Sequence, residues 1–382
     1  MAGPLAGLRV IELAGIGPVP FCAMVLADLG ADVVRVDRAD AVTPGTLDQP
    51  SSDVLNRGRK SIGVDLKHPD GVVTVLRLVE DADVLIEGFR PGVSDRLGVG
   101  PDVCRSRNAR LVYGRMTGWG QSGPWASMAG HDIDYIALSG VLHAIGRADE
   151  RPVPPLNLVG DFGGGGLLLA FGVMAGVWEA QRSGQGQVID ASMVEGSALL
   201  STMIFGMVGQ GIWDFDRRGV NPLDGGAPWY DTYETSDGKF VAVGAIEPQF
   251  YAALLEGLDL TETEMPPQYD KDRWPELRSI LAGRIRTRTR EEWSARFAGT
   301  DACVAPVLSF NEARDHPHND ARGVFTEVGG IVQPSPAPRY SRTPAGQPGS
   351  AVHPGANTDA VLASAGFDDA AIRELRASGA VR

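Results

Sequence analysis

Residues 9–37, Arg-Val-Ile-Glu-Leu-Ala-Gly-Ile-Gly-Pro-Val-Pro-Phe-Cys-Ala-Met-Val-Leu-Ala-Asp-Leu-Gly-Ala-Asp-Val-Val-Arg-Val-Asp, decide the fold. Arg9 to Leu13 is short, apolar and β-branched, as a buried strand requires. Ala14 to Pro20 reads as a loop and Phe21 to Leu29 as a helix. Gly30 supplies a C-terminal stop, and Asp32 to Asp37 reads as a second strand. Strand, helix, strand within thirty residues is a βαβ unit. The pattern repeats outward, with a strand over 61–66, a helix over 70–80, a strand over 84–86, a helix over 101–107 and a strand over 111–113. Alternation of this kind predicts an α/β protein with a doubly wound parallel sheet.

The loop Gly15-Ile-Gly17, with Asp37 closing the second strand, has part of a dinucleotide-binding fingerprint. However, Pro20 stands where the third glycine belongs, and Arg38 directly follows the acid. A tight strand-to-helix turn accounts for the glycines better.

Further along, Asp161 to Arg182 reads as one long helix, stopped by Ser183-Gly184. Its first turn holds Gly163 to Gly166, each costing roughly 1 kcal/mol against alanine. That cost predicts a close approach there by a ligand or another helix. A helix follows over 193–209; its methionines fit an adaptable apolar surface, although a packed core explains them better. From Asn221 the character changes. Residues 229–234 and 239–244 alternate as strands around Ser236-Asp237-Gly238, a hairpin. Helices follow over 248–257, 274–286 and 290–297, as in a smaller α+β domain. Six prolines between Val332 and Pro354 mark an extended connector. Helices over 358–365 and 368–377 then return to the first domain. The reading therefore divides the chain into 1–220, 221–331 and 332–382.

At 382 residues with 43% apolar and 22% charged side chains, the composition is that of a soluble globular protein. A net charge of −13 argues against a general nucleic-acid or membrane-surface binder, though not against a small anion met by a few arginines. Cys22, Cys104 and Cys303 lie far apart and fit buried thiols in a reducing compartment. The sequence suggests neither a secretory leader nor an apolar run near the roughly 20 residues of a membrane helix, and so a cytoplasmic protein.

Two groups stand out as proton carriers. His131 follows Gly130 at a helix start, where charging of an imidazole is disfavoured and action as a base is helped. Asp161 opens the Gly-rich helix; capping that helix is its plain alternative role. Asn157 stands four residues before it, placed to support it or to touch a substrate. Glu247, between an apolar strand and a Pro-started helix, reads by itself as a cap or a surface acid. A base and an acid of different kinds suit chemistry that moves a proton.

These residues lie in stretches that resemble the α-methylacyl-CoA racemases, within the family III CoA-transferase superfamily. The resemblance runs through Val10 to Leu13, Met24 to Gly30, Asp65-Leu66-Lys67, Gly118 to Pro124, Gly130 to Tyr135 and Pro155 to Asp161. It continues through Leu223 to Pro228, Ala245 to Tyr251 and Asp301 to Cys303. It implies that His131 and Asp161 are the two catalytic acid/bases and that Glu247 orients His131. The superfamily's CoA-transferases are similar in fold and use the matching aspartate as a nucleophile. They generally lack the histidine, so Gly-His-Asp favours the racemase.

By the same resemblance, CoA contacts fall on Arg38, Asp65, Leu66, Lys67, Glu87, Gly88, Phe89, Arg90 and Arg96. Arg38 and Arg96 meet phosphates, and Gly130, Asp132 and Tyr135 lie near the reacting end. The resemblance also implies an interlocked homodimer whose active site lies between one subunit's large domain and its partner's small domain. The reaction expected is exchange of the proton beside a thioester carbonyl, one group removing it and the other replacing it on the opposite face. Amides at the start of the Asp161 helix are candidates for holding the enolate oxygen. CoA enters as part of the substrate, and no metal or redox cofactor is expected.

Overall fold

The computed structural model describes residues 3–42, 52–261, 263 and 265–382. It divides into two compact units. The larger comprises Met1–Ser139, Leu156–Leu200 and Ala321–Arg382; the smaller comprises Gly140–Pro155 and Ser201–Asp320.

The larger unit is built on a six-stranded sheet of β1 (Arg9–Leu13), β2 (Asp32–Arg38), β3 (Lys60–Val64), β4 (Val84–Glu87), β5 (Val112–Thr117) and β6 (Val188–Ser192). The spatial order is β3-β2-β1-β4-β5-β6, and every pairing is parallel. The doubly wound expectation therefore holds. Successive residues of β1 serve opposite faces. Val10 packs with Val33, Ala23, Leu26 and Val173, while Ile11 and Leu13 pack with Ile62, Val75 and Val79. Burial on both faces explains why these strands read as continuous apolar runs rather than as alternation. Strand order reverses between β1 and β4, and ligands of such sheets bind at the carboxyl ends of strands at that switch point.

Helix α1 (Pro18–Asp28) follows β1 and begins three residues earlier than the sequence reading places it, because two prolines suit a first helical turn. Helices α2 (Pro69–Glu80), α3 (Val93–Arg96), α4 (Pro101–Arg107) and α5 (Asp132–Leu138) come next.

The long helix expected from Asp161 differs in kind. Leu158–Leu167 is a π-helix, continued as the α-helix α6 (Leu168–Ser183). Its glycines let other backbones come close. A Cβ on Gly196, in α7 (Met193–Leu200), would lie 1.8 Å from the Gly164 carbonyl oxygen. The expected close approach is thus made by another helix. The combined 26-residue helix is long and apolar enough to cross a membrane, contrary to the sequence reading. Its Leu169, Val173 and Val177 nevertheless belong to the sheet's core.

The last segment tightens this unit. Ile331–Pro334, expected to open the extended connector, is instead a strand paired antiparallel with Phe325–Val328. Arg57 donates to Gln333 Oε1 and to the Pro334 carbonyl, both at 2.8 Å. Asn357 Oδ1 accepts the Ser61 amide at 3.0 Å, and helices Thr358–Ser364 and Asp369–Ser378 place Val361, Leu362 and Ile372 against the β3 side of the sheet.

The smaller unit holds an antiparallel sheet of Tyr230–Glu234, Phe240–Gly244 and Val304–Pro306. Trp229, Tyr233, Val243, Leu254, Leu281 and Trp293 form its core. The unit boundaries fall at 200/201 and 320/321, rather than at 220/221 and 331/332, and residues 140–155 join this unit. Arg147 explains the last point: its guanidinium pairs with Asp231 and donates to Thr232 Oγ1. The single helix expected over 193–209 is two, Met193–Leu200 and Thr202–Gly209. The second buries none of its residues, so the packed-core reading of its methionines does not hold.

Candidate active site

His131 is the residue immediately before α5, and its side chain is exposed. The Asp134 carboxylate accepts the His131 amide at 2.9 Å, which fixes the helix start. Behind it, Tyr135 donates its hydroxyl to the Gly130 carbonyl and packs edge-on against Trp119, ring centres 4.7 Å apart. Burial, then the Asp161 charge, push the Tyr135 phenol up to about 12. Gly130 is small by necessity, since a Cβ there would lie 2.8 Å from the Tyr135 ring. The loop bearing His131 is thus held by an aromatic cluster.

Asp161 lies in the first turn of the π-helix and is partly exposed. Asn157, not Asp161, occupies the cap position, and its Nδ2 donates to Asp161 Oδ2 at 3.0 Å. The other flank of the carboxylate is Gly17, at the start of α1, where a Cβ would stand 3.4 Å from Asp161 Oδ2. Gly17 has a φ of 69°, a backbone region that side chains rarely adopt. The loop after β1 thus presents bare backbone to Asp161, a role that the sequence reading of Gly17 as a turn residue did not include.

Asp132 joins the two segments. It is the first residue of α5, and its Oδ1 accepts the Asp161 amide at 2.7 Å. Burial raises its carboxyl above the ordinary aspartate range, with the Asp161 charge adding to the rise. The sequence places Asp132 and Tyr135 against the substrate, yet both side chains are buried in the framework. The Asp161 amide, expected among donors to an enolate oxygen, is already engaged by Asp132.

Most of the residues expected to hold CoA sit at the carboxyl ends of β2, β3 and β4. Arg38 ends β2, is 81% exposed in its side chain, and pairs with Asp40, which it holds below the usual carboxylate range. Asp65 Oδ1 accepts the Lys67 amide at 2.9 Å after β3, with Leu66 between them half-buried. Glu87, at the end of β4, is fully buried. It accepts the Phe89 amide at 2.6 Å and Arg115 Nε at 3.1 Å, so its side chain organises the turn rather than facing a ligand. Gly88 lies against Val19 of α1, while Arg90 and Arg96 are exposed. Arg38, Asp65 to Lys67 and Glu87 to Arg90 therefore share one rim of the sheet. Asp37, the acid of the dinucleotide-like pattern, is buried, accepting Arg35 Nε at 2.7 Å and Ser61 Oγ at 2.5 Å.

In the smaller unit Glu247 is exposed at the start of helix Pro248–Gly257. It lies near Cys303, whose thiol is pushed up by burial and then by the Glu247 and Asp301 charges. Cys303 is exposed with a φ of 52°, whereas Cys22 and Cys104 are buried as expected. A cavity of about 620 Å³ opens in this unit beside Cys303, Tyr230 and Arg147.

The chain is 50% identical over 374 residues to the α-methylacyl-CoA racemase of Mus musculus, covering 97% of this chain and 96% of that protein. Against the α-methylacyl-CoA racemase of Homo sapiens the identity is 48% over the same length and shares. The crystal structure of a CAIB/BAIF family protein from Brucella suis has the same fold, with a TM-score of 0.80 at 24% identity. That match covers 96% of this chain and all of that one. The sequence profile of CoA-transferase family III matches residues 5–360. From Leu5 to Ala360, the chain belongs to CoA-transferase family III.

Proposed function

We infer that this protein interconverts (R)- and (S)-2-methylacyl-CoA thioesters by 1,1-proton transfer between two acid/bases. The observation that carries the reading is near half identity, over nearly the whole chain, to racemases of α-methylacyl-CoA. The geometry agrees with it, since Asp132 ties the His131 loop to the Asp161 turn.

The thioester carbonyl acidifies the α-proton by delocalising charge onto oxygen as the C–H bond breaks. His131 removes that proton from one face, and protonated Asp161 delivers one to the other; the reverse reaction exchanges their roles. Asn157 steadies the Asp161 carboxyl. Positioned proton transfer contributes about 100- to 10,000-fold per group. Every step is a proton transfer, so the reaction calls for no redox cofactor or metal, and CoA is part of the substrate.

Arg38 and Arg96 meet CoA phosphates in this reading, and the turns Asp65 to Lys67 and Glu87 to Arg90 receive the rest of the nucleotide arm. Anchoring this remote part holds the acyl carbon for reaction. The working form is an interlocked homodimer in which Glu247 orients His131 of the partner subunit. Exposed apolar side chains support a second copy: Phe171 and Trp178 on α6 are 73% and 64% exposed, and Leu199 and Leu200 on α7 are about 60% exposed.

The test is proton NMR in deuterated water with either enantiomer of a 2-methylacyl-CoA and no added acid. Loss of the α-proton signal with racemisation is expected. Absence of exchange, with CoA moving to an added carboxylate, would make the protein a CoA-transferase acting through Asp161.

A further inference from the structure

Asp132 directly follows His131 and is 5% exposed. Its Oδ1 binds the Asp161 amide, across 29 residues of sequence. The approach leaves no slack, because a Cβ on Gly160 would lie 2.5 Å from the same oxygen. Oδ2 is buried and has no hydrogen-bond partner among the described residues. A carboxylate oxygen buried without a partner is costly.

The charged and titratable groups around it are few. On its own helix Asp134 is turned to the His131 amide, and the Tyr135 hydroxyl to the Gly130 carbonyl. The π-helix presents the Asp161 carboxylate. On α7, Glu195 binds Ser192 Oγ, and Arg90 after β4 acts on Tyr135. No Arg or Lys pairs with Asp132 among the described residues. Two neighbouring carboxylates with no cation between them repel each other.

Resting on the racemase reading, we propose that Asp132 is a positioning residue for both acid/bases: its carboxyl fixes the Asp161 turn against the His131 loop, and its charge couples to that of Asp161. The substrate does not touch its side chain. Its role is to keep the proton donor and acceptor at a set separation on opposite faces of the α-carbon.

The test compares Asp132→Asn and Asp132→Ala with wild type, measuring racemisation across the acidic limb of the pH profile. Asparagine keeps an oxygen for the Asp161 amide and removes the charge; alanine removes both. In Asp132→Ala, kcat falls about 100-fold, the scale of a small misplacement of reacting groups, while KM stays nearly constant. Asp132→Asn recovers most of kcat, but its acidic limb moves to lower pH because a negative charge beside the reacting groups is gone. An unmoved limb in Asp132→Asn overturns the proposal, as does an equal loss in both variants or a KM that rises as kcat falls. Should Asp132→Ala fail to fold, the limb of Asp132→Asn decides alone. Wild type without α-proton exchange would instead sink the racemase reading, whereas active wild type with an unmoved limb sinks only the positioning role.

Discussion

Buried carboxylates occupy two kinds of place in the larger unit. Across the sheet each has an arginine: Glu12 pairs with Arg59, Asp28 with Arg57, Asp37 with Arg35 and Glu87 with Arg115. At the start of the π-helix, buried Asp132 stands beside the partly exposed Asp161, and neither has a cation partner among the described residues. Burial raises both Glu12 and Asp132, but for Glu12 the nearby arginines oppose the rise, and for Asp132 the neighbouring charge reinforces it. A buried acid with a cation holds scaffold elements together; Asp132, with none, ties the Asp161 turn to the His131 loop. This contrast separates scaffold from site inside one unit.

The largest effect expected is on the reaction. His131→Ala and Asp161→Ala each reduce racemisation by about 100- to 10,000-fold, with CoA-ester binding nearly intact. Chiral analysis of product alongside binding titration checks this, and near-wild-type turnover by either folded variant would break the site half of the contrast. The scaffold half is broken or sharpened by Arg59→Met. Removing one partner of a buried pair destabilises by about 3–5 kcal/mol, read as a lower urea midpoint at unchanged slope. Glu12→Leu combined with Arg59→Leu recovers much of that loss, since no orphaned charge remains.

A smaller effect is expected at the exposed rim. Arg38→Ala weakens CoA-ester binding about 10-fold, the scale of one charge-assisted contact, and flattens its salt dependence. A substrate truncated to the pantetheine arm is unaffected. Equal losses for both substrates would remove Arg38 from the phosphate site.

The smallest effect is on stability against pH. The Asp132 carboxyl is raised in the folded state, so its stabilising contribution is fully present below the unfolded aspartate value of about 3.9. That contribution is lost as pH rises through the raised folded value. Wild type should therefore lose stability relative to Asp132→Asn as pH rises from about 4. A difference that stays constant with pH would contradict the charge assigned to Asp132.

The βαβ run was legible because strands buried on both faces carry an unbroken apolar signal, and Gly30 marks the helix end. Strand β6 was not, since Val188-Ile-Asp-Ala-Ser192 is an edge strand with an exposed first half. The π-helix was read as α because the two share composition and differ only in how far each backbone bond reaches. His131 and Asp161 were visible through their surroundings and the family resemblance. The inward turn of Asp132 was not, because nothing in Gly-His-Asp says which side chain faces solvent, and its partner lies 29 residues on.

The central claim, that His131 and Asp161 serve opposite faces of one carbon, is tested most directly by following α-proton exchange of each enantiomer separately in deuterated water. His131→Ala and Asp161→Ala should each retain exchange of a single enantiomer, without racemisation, and the two variants should retain opposite ones. Exchange of the same enantiomer by both variants, or of both enantiomers by either, would contradict the account.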